Sequence, residues 1–301
     1  MSFFNFSWWF IPLIITIFTG ILCPAMGTVL ITHRRLLQVN LISHCVLPGL
    51  ALALALGIHP SIGGVISGLT GAIIAESLTN KKSENYEAIM NTILAGMLGF
   101  GVLIIPLLGI RIDLEAVLFG DLLTANLGDL LRTLIAFLIF CSLIIFGYEK
   151  IIYVGLDSEG AAANGINVSL LNLVLSFTTA LVIVSSMSAV GVILVIALLS
   201  TPTLLGVSKA PSLRVAMIKS SIFGLFISVL GFIISLVFNL SPGPAISVLC
   251  VIPLIFLTKD KRLLTIFIIL YLQILLKNPT QLLANLQQLV LNQVENIPRL
   301  Q

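Results

Sequence analysis

The stretch Asn40-Leu-Ile-Ser-His44-Cys-Val-Leu-Pro48-Gly49 leads directly into an apolar run over residues 50–57. An ionisable side chain in hydrocarbon is costly, so such a histidine usually faces the interior of a helix bundle or a watery path. A proline–glycine pair at that depth is tolerated only where protein or a cavity covers the freed backbone groups. The stretch therefore indicates either a polar site inside a transmembrane bundle or a buried histidine beside a simple kink.

The composition is typical of a membrane protein. Hydrophobic residues make up 58% of the 301 residues, charged residues 9%, and the mean hydropathy is +1.18, whereas a soluble domain carries roughly 25% charge. The four cysteines stand singly in apolar stretches, so neither disulfides nor a zinc knuckle is predicted. The first 32 residues contain no Lys or Arg, so no cleavable signal peptide is predicted. The net charge is only +3, and no nucleic-acid partner is expected.

Hydropathy predicts nine membrane spans, because each needs about 20 apolar residues. They lie near residues 10–31, 41–57, 58–78, 88–110, 131–148, 168–187, 190–207, 218–238 and 245–257. The pairs around Gly57 and Ser188 are tight enough that either could instead be a re-entrant hairpin. We therefore expect an all-α polytopic membrane protein with a bundle of about nine transmembrane helices, within a range of eight to ten.

The C-terminal tail differs from the rest of the chain. Residues 263–276 are apolar but number only 14, which is short for a span. Residues 278–301 carry leucines at helical spacing, which is typical of an interfacial or packing helix. We expect residues 1–262 to form one membrane domain and residues 263–301 a short apolar segment with a tail helix, with a tenth span as the alternative.

The distribution of Lys and Arg predicts the orientation in the membrane. One set of alternate loops holds eleven basic residues, and the other holds only Arg111 and Arg132. Short cytoplasmic loops are enriched in Lys and Arg, so the first set is assigned to the cytoplasm. We expect a multi-pass protein of the cell (inner) membrane with its N-terminus outside.

The longest cytoplasmic loop contains Asp157-Ser-Glu-Gly-Ala-Ala-Ala-Asn-Gly165, which predicts a short surface helix. Asp157 and Ser158 can cap its start, Glu159 suits its first turn, and Gly165 can end it in the left-handed conformation. These residues fit either an ordinary interfacial helix or a smooth surface that another protein approaches.

Several stretches together resemble the permease subunits of zinc, manganese and iron ABC importers. Residues 43–49 resemble that family's SHAVLPG signature, residues 157–165 its D-x-E-x-A-x-x-x-G coupling segment, and residues 190–202 its VGVLLVxALLxTP run. Residues 118–120 and 239–243 also follow in the family's order. The resemblance covers roughly residues 10 to 260 and does not extend to the tail.

The resemblance implies that the chain pairs with a second copy to form a translocation path. It also implies a separate ATPase on the cytoplasmic coupling helix and an extracytoplasmic protein that delivers the metal. No cofactor and no ATP hydrolysis are expected in this chain, which has no G-x-x-x-x-G-K-[ST] loop. We expect the ATPase contact at Asp157, Glu159 and Gly165, and helix breaks in the path at Pro48, Gly49 and Pro202.

The metal site is expected at His44, Asn40 and Asn239, where the chain departs from the family pattern. The family usually carries aspartates at the two positions that are Asn40 and Asn239 here. An amide oxygen can ligate a metal but brings no charge, so we expect a site that is weaker, softer or altered in selectivity. We expect manganese or zinc as the cargo, with iron as the alternative.

Other polar residues offer alternatives near this site. Cys45 and His59 are nearby candidates, and Glu76 either compensates within the membrane or lies at the cytoplasmic interface. His33, beside two arginines, is expected on the polar cytoplasmic surface.

Other functions remain open on the sequence. An ion-coupled secondary transporter or channel would need intramembrane acids, for which Glu76 is the candidate, and inverted repeats, which we do not see. A permease paralogue that no longer moves metal would fit the two amides. An intramembrane enzyme is disfavoured, because H-E-x-x-H and G-x-S-x-G are both absent.

The orientation can be measured by cysteine labelling in a background without the four native cysteines. We expect Ser83→Cys and Ser212→Cys to react only from the cytoplasmic side and Ser241→Cys only from outside, because the basic loops stay in the cytoplasm. A membrane-impermeant maleimide applied to intact cells and to inverted vesicles distinguishes the two sides. Labelling of Ser83→Cys in intact cells would reverse the assignment.

Overall fold

The computed structural model describes residues 9–78, 86–109, 120, 122, 125–208, 210–238 and 240–257. These residues form ten helices and contain no strand. In chain order the helices are α1 (Phe10–Thr32), α2 (Leu36–Ala55), α3 (Pro60–Leu78), α4 (Tyr86–Leu107), α5 (Leu127–Leu156), α6 (Ser158–Ala163), α7 (Val168–Val190), α8 (Val192–Val207), α9 (Leu213–Phe238) and α10 (Pro242–Leu257). Residues up to 251 lie in one compact unit, and residues 252–301 belong to a second one. The predicted tail over residues 263–301 lies outside the described part of the chain.

Nine of the ten helices are apolar, and six of them are long enough to cross a bilayer. The six are α1, α2, α4, α5, α7 and α9, whereas the apolar parts of α3, α8 and α10 are shorter. The predicted all-α membrane fold is confirmed. The number of helices that cross the bilayer stays a prediction.

Several helices are longer than hydropathy predicted, among them α2 and α5. α2 begins at Leu36 rather than near residue 41, and it includes Gln38 and Asn40 in its first two turns. Gln38 is buried between helices, so a polar residue that lowers local hydropathy is part of the packed bundle. α5 extends over 30 residues to Leu156, beyond the apolar window that defined the predicted span.

α2 and α3 pack with their backbones in contact. Gly49 and Gly63 face each other so closely that a Cβ on either one would overlap the carbonyl oxygen of the other. Gly64 and Gly68 also lie against α2. A Cβ on Gly64 would be 2.9 Å from Val46 Cγ1, and one on Gly68 would be 3.1 Å from Ile42 Cγ2. Small residues thus let the helices approach, as expected in lipid.

Hydroxyl groups tie α1 to its neighbours. Most buried Thr and Ser side chains donate to a carbonyl one turn earlier in their own helix, as Thr16 does to Pro12 O at 2.8 Å. Thr28 also donates to Ser220 Oγ of α9 at 3.0 Å, and Thr203 of α8 donates to Pro24 O at 3.0 Å. These bonds satisfy polar groups that have no water available in the hydrocarbon.

The glycine contact between α2 and α3 can be tested with matched substitutions. Gly63→Ala should destabilise the fold by ~1–3 kcal/mol, because the added methyl forces two backbones apart. Gly96→Ala in α4 is the control, since a Cβ there would meet no described atom within 4 Å. Thermal unfolding midpoints in detergent measure both. Equal midpoints for the two variants would contradict the close contact.

Candidate functional site

Asn40 and His44 lie one helical turn apart on the same face of α2. Both side chains are half-buried. Neither has a hydrogen bond to another of the residues that the structure describes. This face of α2 therefore presents an amide and an imidazole whose polar atoms are available within the described bundle.

The other faces of α2 are packed with apolar side chains. Leu41 and Cys45 pack against Ala75 and Met90 of α3 and α4. On another side, Val46 packs against α7 and α8, and farther along α2 the side chains of Leu47 and Ala51 pack against α4. Cys45 is fully buried in its apolar cluster, so it does not join His44 as a candidate ligand. The polar face of Asn40 and His44 is the part of this stretch left open.

Pro48 lies inside α2, which continues to Ala55. A proline has no N–H, so it cannot bond the carbonyl of the residue four positions earlier, which here is His44. Gly101 of α4 covers this point, since a Cβ there would be 2.9 Å from Pro48 Cδ. The expected break is thus one missing hydrogen bond in a continuous helix, and it leaves a backbone oxygen next to the imidazole.

Pro202 also lies within a continuous helix, α8. Its neighbour Thr203 donates to Pro24 O of α1 at 3.0 Å. This part of α8 packs on α1, and the described contacts do not bring it to His44.

Of the other candidate ligands, the structure places only His59 relative to His44. Asn239 and the side chain of Glu76 lie outside the described residues, so their distance from His44 stays a prediction. His59 is exposed in the turn between α2 and α3, where its Nδ1 accepts from Ser61 N at 3.3 Å. Eleven residues separate His44 from the end of α2 at Ala55, about 16 Å at 1.5 Å per residue, so His59 does not share the site.

The short helix α6 has the caps that the sequence predicted. A carboxylate oxygen of Asp157 accepts from Gly160 N at 2.9 Å, Glu159 lies in the first turn, and Gly165 has a φ of +80°. Ala161 is fully buried and anchors the helix, whereas Ala162 and the two residues after it are exposed. The outer side of α6 is therefore a smooth, small-residue surface.

The expectation for His33 was wrong, because its side chain is not on the polar surface. His33 and Arg35 are buried, with exposed fractions of 6% and 3%. Because α2 starts at Leu36, the turn after α1 is only three residues long. Its side chains at His33 and Arg35 therefore lie inside the bundle. Sequence reasoning also missed Gln38 and Ser176, whose side chains are hydrogen-bonded at 3.0 Å. The sequence signal for this pair was Gln38 itself, a polar residue in the first turn of a membrane helix.

Comparison with known proteins identifies the family. The model of the ABC 3 transport family matches residues 6–259. The manganese transport system membrane protein MntC of Listeria monocytogenes is 29% identical over 233 residues, 77% of this chain and 83% of that protein. The chelated iron transport system membrane protein YfeD of Yersinia pestis is 30% identical over 238 residues, 79% of this chain and 80% of that protein.

A solved structure agrees with this match. PsaBC from Streptococcus pneumoniae, in complex with a Fab, superposes with a TM-score of 0.75 at 30% identity, covering 83% of this chain and 90% of that chain. The matched region includes α2 and α6, the two helices that carry the candidate residues. The chain belongs to the ABC 3 transport family.

Proposed function

We propose that this chain is the membrane permease of an ATP-driven importer for a divalent metal ion. The observation that carries the proposal is the open face of Asn40 and His44 on a helix whose other faces are packed. Within the ABC 3 family, relatives are named for manganese and for chelated iron. Those names favour manganese or iron over zinc as the cargo.

The ligand chemistry at this face suits weak and reversible binding. An imidazole accepts most divalent transition metals, and amide or backbone oxygens suit the harder ones such as manganese. Asn40 and Asn239 bring no negative charge, so an ion held there keeps less electrostatic stabilisation than it would between carboxylates. A pathway needs sites that an ion can leave as well as enter, and neutral ligands favour its release.

A second copy of the chain would complete the site. Within the described residues, no three His, Cys, Asp or Glu side chains come together. A homodimer with the open α2 faces toward each other would bring two Asn40–His44 pairs to one path. Asn239, which follows α9, would be the additional ligand from each copy.

ATP hydrolysis and metal delivery belong to partner proteins in this proposal. The capped helix α6 presents its exposed alanines to a cytoplasmic ATPase, with Asp157 and Gly165 fixing its two ends. An extracytoplasmic metal-binding protein delivers the ion from the opposite side, where the N-terminus lies in the predicted orientation. A permease paralogue without metal transport is the second candidate, because amides replace the expected carboxylates.

The docking role of α6 predicts a loss of partner binding. Glu159→Arg and Ala162→Arg should reduce co-purification of the ATPase by about tenfold or more, since ~1.4 kcal/mol of lost contact is a factor of ten in affinity. Ser212→Arg is the control for Ala162→Arg, because it adds the same charge to another exposed loop. Quantitative pull-down at equal membrane abundance provides the measurement. A complex that withstands both α6 variants would remove the docking assignment.

The metal role of His44 predicts a loss of binding and uptake. His44→Ala should weaken manganese binding by ~10-fold or more, because even residues behind metal ligands contribute 10–100-fold. His59→Ala is the matched control, since it removes the same side chain from an exposed turn. Calorimetry of the purified protein and manganese uptake by cells measure the two effects.

Carboxylates at the two amide positions provide the converse test. Asn40→Asp with Asn239→Asp should tighten metal binding, because each carboxylate supplies charge that an amide lacks. If neither form binds a divalent metal and His44→Ala changes nothing, the paralogue without transport is the better description.

A further inference from the structure

The turn between α1 and α2 contacts α5 and α7, the two helices that flank α6. On one side it contacts the end of α5, where a Cβ on Gly155 would lie 3.3 Å from His33 Nε2. On the other side it meets α7, the helix that follows α6. The turn itself is tight, and Arg34 has a φ of +55°. The short turn from which α2 begins therefore contacts both helices that flank α6.

A hydrogen-bonded cluster joins this turn, α2 and α7. Gln38 Nε2 donates to Ser176 Oγ at 3.0 Å. The Arg35 guanidinium lies 3.5 Å from both Gln38 Oε1 and Ser176 Oγ. All three residues are only 3% exposed. We call Arg35, Gln38 and Ser176 the basal cluster.

The basal cluster connects the two regions that the proposed function uses. Ser176 lies in α7, eight residues or about 12 Å after the start of that helix. Gln38 lies in α2, which runs without interruption past Asn40 and His44. A shift of α7 relative to the bundle is therefore transmitted to the base of the helix that carries the candidate ligands.

The chemistry of the cluster favours discrete arrangements. A buried polar group that loses its hydrogen-bond partner destabilises the protein. The network is therefore stable when all its bonds are formed, in this arrangement or in another, and unstable while some bonds are broken. Coupling between distant sites runs through elements with two discrete arrangements. Apolar packing alone would allow α2 and α7 to slide with less penalty.

Building on the proposed function, we propose that the basal cluster is the positioning link between the docking helix α6 and the metal-carrying face of α2. Movement of α6 by the ATPase shifts α7, and the bonds from Ser176 to Gln38 and Arg35 rotate or tilt α2 with it. The cluster thereby couples nucleotide turnover to the opening of the site at Asn40 and His44.

The test measures Mn²⁺ ions transported per ATP hydrolysed by the complete complex in lipid vesicles. Ser176→Ala removes both contacts of the cluster with α7, and Gln38→Leu removes the direct bond between α2 and α7. Gln38→Glu keeps it, because a carboxylate accepts from both the guanidinium and the Ser176 hydroxyl. Thr178→Val is the matched control: this buried hydroxyl lies two residues from Ser176 and donates to Val174 O of its own helix at 2.8 Å.

We expect Ser176→Ala and Gln38→Leu to lower the transport ratio by about threefold or more, within the range of measured coupling effects. Mn²⁺ affinity and association with the ATPase should stay unchanged, and Gln38→Glu and Thr178→Val should behave like the wild type. A ratio that Ser176→Ala and Gln38→Leu leave at the wild-type value overturns the link while leaving the proposed function intact. A wild-type complex that hydrolyses ATP without moving either Mn²⁺ or Fe²⁺ refutes the proposed function and this inference with it.

Discussion

The backbone contact between Gly49 and Gly63 is the constraint on which the polar site depends. Lipid tails are as apolar as leucine, so helices in a bilayer associate through close packing rather than through a hydrophobic driving force. With no Cβ on either glycine, α2 lies directly on α3, and its side chains at Leu41 and Cys45 fill the space toward α4. What remains uncovered on this part of α2 is the face of Asn40 and His44.

The candidate site combines neutral side chains with a backbone carbonyl that lacks its helical donor. Pro48 withholds one hydrogen bond from the carbonyl of His44 without ending the helix, and α4 covers the proline at Gly101. The polar atoms next to the imidazole are thus neutral oxygens. Neutral oxygens stabilise a divalent ion less than carboxylates do, and this difference suits transient occupancy of a path more than storage of an ion.

The end of the bundle that lies near α6 is organised by polar contacts rather than by glycines. The α1–α2 turn buries Arg35 and His33, and the bonds to Ser176 and Gln38 fix its direction. Directional bonds hold helices at a set angle, whereas apolar side chains allow neighbouring angles at similar energy. The same turn contacts both helices that flank α6, so the proposed docking surface and the polar face of α2 are connected through this turn.

The sequence by itself determined the class, the helix pattern and the local motifs. Hydropathy located the nine apolar helices, because length and composition suffice for that. Capping chemistry placed α6, since Asp157 and Gly165 act through their own neighbours. Only the tertiary structure decided that Arg35 and Gln38 are buried, that Cys45 is enclosed in an apolar cluster, and that His59 is too distant to join His44. These outcomes depend on which helices pack together and on where along each helix the contact occurs. Such pairing between distant segments leaves no local pattern in the sequence.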